Sequence, residues 1–146
     1  MTMRPFDILL AEDNEDDILL IREAFETANM ANRVAIVRDG EEALDYLRGK
    51  GPYSQCPFPG MVLLDINMPK KNGLDVLIEL KSEPRFRPLP VVMLTVSERE
   101  EDIVRAFQQG ACSYIRKPVT FSQFQMVVKQ FELYWTLVSK LPLLKR

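Results

Sequence analysis

Acidic residues fall in two places where they could work together: Glu12 and Asp13 directly after one apolar run, and Asp65 at the end of another. Thr95 closes a third run, and Lys117 with Pro118 follows a fourth, weaker one. If these runs are strands of one sheet, their ends meet along its carboxyl edge. Three carboxylates packed together repel one another, and a hard divalent cation and the Lys117 ammonium are the two agents available to compensate them. Mg²⁺ suits the set best, because one or two carboxylates, a carbonyl, waters and a phosphoryl oxygen match its octahedral demand. The same residues suit phosphoryl transfer onto a carboxylate. Asp65 is then the nucleophile, Glu12 and Asp13 hold the metal, and Lys117 and the Thr95 hydroxyl meet the phosphoryl oxygens as charge moves onto them. Taken singly, each of these acids is more often a helix cap or a solvated loop residue. Their shared placement at strand ends carries the reading.

The elements that must position them follow from periodicity. Continuous apolar stretches at 6–11, 34–37, 61–64, 91–94 and 113–115 read as parallel strands covered on both faces. Between them lie amphipathic segments with Ile18, Ile21, Ala24, Phe25 and Ala28 in the first, Ala43, Leu44 and Leu47 in the second, and Val76, Leu77 and Leu80 in the third. The fourth, 97–109, is highly charged, and only Ile103, Val104, Ala106 and Phe107 are available to face a core. The Pro- and Gly-rich stretch 49–60 reads as an ordered surface loop. Five β/α repeats predict a doubly wound, five-stranded parallel sheet, with its site beyond the carboxyl ends where strand order reverses.

Composition narrows the chemistry. The 146 residues, 47% of them hydrophobic, are enough for one core and one domain, 1–146. Nineteen Lys and Arg against 21 Asp and Glu leave a net charge of -2, so no bulk nucleic-acid surface is indicated. The chain has no His, which removes imidazole-based catalysis and His-ligated metals. Its two cysteines form no disulfide framework or zinc motif, which predicts a cytoplasmic setting; no signal peptide or spanning helix is expected.

The motifs AEDN at 11–14, LLDINMPKKNG at 63–73, MLTVS at 93–97 and GACSYIRKP at 110–118 resemble the receiver domain of two-component response regulators over nearly the whole chain. The resemblance implies a flavodoxin-like fold and a phosphoacceptor switch rather than an enzyme. Asp65 takes the phosphoryl group, and Glu12, Asp13, Asp65 and the backbone carbonyl of Asn67 bind Mg²⁺. Thr95 is the switch hydroxyl, Lys117 contacts the phosphoryl group, and Tyr114 is the aromatic that follows the threonine. It further implies a cis bond before Pro118. Val96 replaces the smaller residue of many receivers, and its stiff side chain is expected to narrow access to Asp65. The Pro-rich loop, MPKKNGLDVL and the aromatic tail resemble the stand-alone regulators that serve phytochrome-type sensor histidine kinases, with a phosphohistidine as donor.

The last segment carries Phe131, Tyr134, Trp135 and Val138 at helical spacing and outruns the sheet it would cover. Its extension, about 134–146, is expected to form a homodimer interface. No residues remain for a DNA-binding module, so output is expected through protein contact. A phosphorylation-independent adaptor with the same fold stays open as an alternative. A haloacid-dehalogenase-like phosphotransferase fits less well, since Asn67 stands where its second Asp belongs. A nucleotide module fits poorly with the acidic turn EDNEDD.

Overall fold

The computed structural model describes residues 7–27, 33–95, 105–111 and 113–117, together with 120, 122, 123 and 126. Five strands, β1 (Ile8–Ala11), β2 (Val34–Val37), β3 (Met61–Asp65), β4 (Val91–Thr95) and β5 (Ser113–Arg116), pair in parallel in the order β2-β1-β3-β4-β5. The order reverses between β1 and β3, which opens a crevice at their carboxyl ends. Helices α1 (Glu15–Thr27), α2 (Gly40–Arg48) and α3 (Gly73–Ser82) form the described cover.

Alternation along the strands divides the core into two layers. Ile8, Leu10, Met61, Leu63, Val92 and Leu94 pack with Ile18, Ile21 and Phe25 of α1. Their neighbours Leu9, Ala11, Val62, Leu64, Val91 and Met93 pack with Ala43, Leu44 and Leu47 of α2 and Val76, Leu77 and Leu80 of α3. Because both faces are covered, β1, β3 and β4 are buried throughout, as the apolar runs predicted.

The edges differ. β5 alternates, with Ile115 buried and Tyr114 and Arg116 exposed, which is the pattern of a strand covered on one face only. In the helical residues 105–108, Ala106 is buried, but Phe107 is exposed and meets the Tyr114 ring edge-on at 6.0 Å. Of the residues available to face a core from this segment, Ala106 does so and Phe107 does not. Loop 49–60 is ordered around a 3₁₀ turn at Gly51–Tyr53, with Tyr53 against Tyr46 and Phe58 stacked on Phe86.

Capping chemistry starts the helices. The Asn14 side chain accepts from the Asp17 amide at α1, Asp39 from the Glu42 amide at α2, and Asn72 from the Asp75 amide at α3. Thr120 and Gln123 exchange reciprocal bonds, each side chain accepting from the other's amide, in the manner of a capping box. Ala28, Val96, Ile103, Val104, Pro118, Phe131, Tyr134, Trp135, Val138 and the 134–146 extension lie outside the described residues.

Candidate functional site

Parallel pairing places the predicted residues on one edge. The Glu12 amide donates to the Val37 carbonyl, Ile66 to Leu94, and Lys117 to Thr95 at 2.8 Å, so the ladder continues past each strand end and fixes where the next side chain emerges. Glu12, Asp65 and Thr95 are buried, and Asp13 is exposed at the mouth. Asn67 is also exposed, and its amide donates to Asp65 Oδ1 at 3.3 Å.

Gly73 holds the Asp65 turn closed. It opens α3, its amide donates to the Ile66 carbonyl, and a Cβ built there would fall inside the van der Waals shell of the Asp65 carbonyl oxygen. Only a residue without a side chain lets the start of α3 lie against the strand end in this way.

Carboxylate oxygens of Glu12, Asp13 and Asp65 lie within 4.8 Å of one another. Lys117 Nζ sits 2.6 Å from Glu12 Oε2, 3.3 Å from Asp65 Oδ2 and 2.9 Å from Asp17 Oδ2. Among the described residues no hydrogen-bond donor is aligned on the buried Glu12 Oε2, although it forms that ion pair. Burial, with Asp65 adding to it, pushes the Glu12 carboxyl up to about 7, against the opposing pull of Lys117. Burial alone would lower the Lys117 ammonium, but its close contacts with Glu12 and Asp17 and the charge of Asp65 outweigh that and hold it above its ordinary value. One buried cation thus faces more negative charge than it can balance.

Asp17 is the participant that sequence reasoning missed. It lies in the acidic run 15–17 opening α1, where Glu15 and Asp16 look equivalent to it; only the rotation of the helix turns Asp17 toward Lys117. Tyr114 stands on the outer face of β5 against Phe107, away from the buried acids.

The model of the response regulator receiver domain matches residues 8–129. The chain belongs to the response regulator receiver family. Receiver domains of this family are signalling switches, not classical enzymes. Among curated relatives, the chain is 42% identical over 134 residues to "Probable methanogenesis regulatory protein FilR2" of Methanothrix harundinacea, covering 90% of this chain and 84% of that one. It is 35% identical over 138 residues to response regulator Rcp1 of Synechocystis, covering 94% of each. Its fold matches the crystal structure of the phosphorylated cyanobacterial phytochrome response regulator RcpA with a TM-score of 0.77 at 41% identity, over 91% of this chain and 95% of that one. The Mn²⁺-bound form of Rcp1 matches with a TM-score of 0.75 at 35% identity, over 90% and 94%.

The acidic trio fits a divalent cation. Its donors are all hard oxygens, and the unaligned lone pairs of Glu12 Oε2 and the excess negative charge are what such an ion would satisfy. Among the described residues, no helix is long and apolar enough to cross a membrane.

Proposed function

We propose that this chain is a single-domain response regulator that accepts a phosphoryl group on Asp65 from the phosphohistidine of a sensor histidine kinase. The observation that carries the reading is the convergence of Glu12, Asp13, Asp65 and Lys117 at one sheet edge, with Asp65 buried and Asp13 exposed beside it. An Asp65 carboxylate oxygen attacks phosphorus, the P–O bond forms as the P–N bond breaks, and the electron pair leaves with the imidazole of the donor. Lys117 meets the charge that develops on the phosphoryl oxygens, and the Thr95 hydroxyl supplies a second donor. Mg²⁺ is the ion assigned to Glu12, Asp13, Asp65 and the Asn67 carbonyl, where it would neutralise charge on both carboxylate and phosphoryl oxygens. No general base is required, which agrees with a chain that has no His.

The likeness to RcpA and Rcp1 over almost the full length of each supports a phytochrome-type kinase as the donor. Output runs through protein contact: phosphorylation biases Thr95 and then Tyr114, changing the β5 face that Tyr114 and Phe107 share. The homodimer through Phe131, Tyr134, Trp135 and Val138, the single domain over 1–146, the cis Lys117–Pro118 bond and the cytoplasmic setting belong to the same proposal. The test is transfer from an autophosphorylated phytochrome-type histidine kinase, followed by intact-protein mass. The reading expects one phosphoryl group on the wild type and none on Asp65→Asn. Equal phosphorylation of both, or of neither while the kinase phosphorylates a known receiver, would overturn it.

A further inference from the structure

Among the described residues Lys117 has three acidic partners, and they are not equivalent. Glu12 and Asp65 belong to the trio whose oxygens converge for a cation, whereas Asp17 stands outside it, on the first turn of α1. The contact that also meets hydrogen-bond geometry is the one to Asp17, at 2.9 Å. A dication seated between Glu12, Asp13 and Asp65 would draw on the same lone pairs that the ammonium uses, and two cations sharing Glu12 and Asp65 repel each other. The ammonium then needs an acid that the metal does not use.

We propose that Asp17 is a positioning residue: it anchors the Lys117 ammonium from the α1 side, so that the lysine stays in place when a divalent cation takes Glu12 and Asp65. The inference rests on the receiver reading of the site and adds to it a residue outside the motifs that mark the family resemblance. Its position is well chosen for the task. Asp17 is three-quarters buried, its amide is fixed by the Asn14 cap, and Asn14 in turn donates its own amide to Glu12 Oε1 at 3.1 Å. The anchor and the metal ligand are thus built from one turn, and the carboxylate of Asp17 is held where Lys117 passes. Glu15, two residues earlier on the same turn, pairs outward with Arg38 instead.

The test follows the ammonium itself. A buried, anchored lysine protects its ammonium protons from exchange with water and gives a nitrogen-15 to proton correlation; the Lys117 signal is assigned by its loss in Lys117→Met. Spectra of the full chain are taken without and with saturating Mg²⁺ for wild type, Asp17→Asn and Asp17→Glu. The proposal expects the Lys117 signal to survive Mg²⁺ in the wild type, to disappear with Mg²⁺ in Asp17→Asn, and to be recovered at least in part in Asp17→Glu. Backbone amide spectra show that each variant is folded. A signal lost from the wild type on adding Mg²⁺, absent from it in both states, or undiminished in Asp17→Asn would overturn the proposal. Failure of the underlying site reading looks different: Mg²⁺ would then leave the backbone amides of Glu12, Asp13 and Asp65 unshifted in the wild type.

Discussion

Two groups of opposite charges do different work in this molecule. On the flank between α2 and α3, Arg48 reaches Glu79 and Glu83, and Lys71 reaches Glu79, all with part of their side chains in water. At the carboxyl edge, Lys117 meets Glu12, Asp17 and Asp65 largely out of water. Among the described residues the acids of the flank are fully compensated, with Arg48, Lys71 and Arg85 against Glu79 and Glu83, and the bond from Lys71 with help from Arg48 holds Glu79 below its ordinary value. The edge is unbalanced, and burial drives Glu12 in the other direction. The same residue types therefore stabilise the fold in one place and hold a charge deficit in the other, and a deficit of positive charge is what a dication can fill.

The largest break in this comparison is expected from the two glycines that pack each region. Gly73→Ala pushes a methyl into the Asp65 carbonyl, and Gly40→Ala pushes one into the Lys71 carbonyl. Each is expected to cost about 2 kcal/mol or more in urea unfolding. Only Gly73→Ala should also lose Mg²⁺ affinity by calorimetry, since Gly40 packs the flank. Equal loss of affinity in both would show that the regions are not separable.

Next in size is Glu12→Gln. The carboxyl ionises near 4.5 in the unfolded chain and near 7 in the fold, so the native state holds the proton more tightly. Its contribution to metal-free stability is full below about 4.5 and is lost as pH rises through 7. Glu12→Gln should remove that dependence and raise metal-free stability at pH 8 by about 1 to 3 kcal/mol. Denaturant unfolding at pH 5 and pH 8 reads the change. Mg²⁺ binding at pH 6 should likewise release up to about one proton per ion, seen as calorimetric heats that vary with the buffer, and Glu12→Gln should release almost none.

The smallest effect is expected on the flank. Arg48→Met should cost less than about 1 kcal/mol, and less still in high salt. Here the slope with pH reverses, because the depressed Glu79 contributes stability at neutral pH that is lost on acidification.

The sheet was legible because apolar runs without alternation occur where strands are covered twice, at β1, β3 and β4. It was less legible at β5, whose burial depends on a neighbour that the sequence does not specify, and at Phe107, which helical spacing alone could not distinguish from a core residue. The site acids were legible because a strand's end is marked in sequence by the change from apolar to acidic. Asp17 was not, because selection among three consecutive acids depends on the phase of α1, which Asn14 sets through a cap rather than through any pattern of side chains. Gly73 reads as a turn residue in sequence; that it closes against the Asp65 backbone needs the third dimension.

The central claim is that the unbalanced edge exists to take a cation and a phosphoryl group on Asp65. Intact-protein mass after incubation with a small-molecule phosphodonor, with and without Mg²⁺, tests it most directly. The account predicts a single phosphoryl adduct that requires Mg²⁺ and is absent from Asp65→Asn. A folded wild type that binds Mg²⁺ yet gains no adduct, or an adduct that persists in Asp65→Asn, would contradict it.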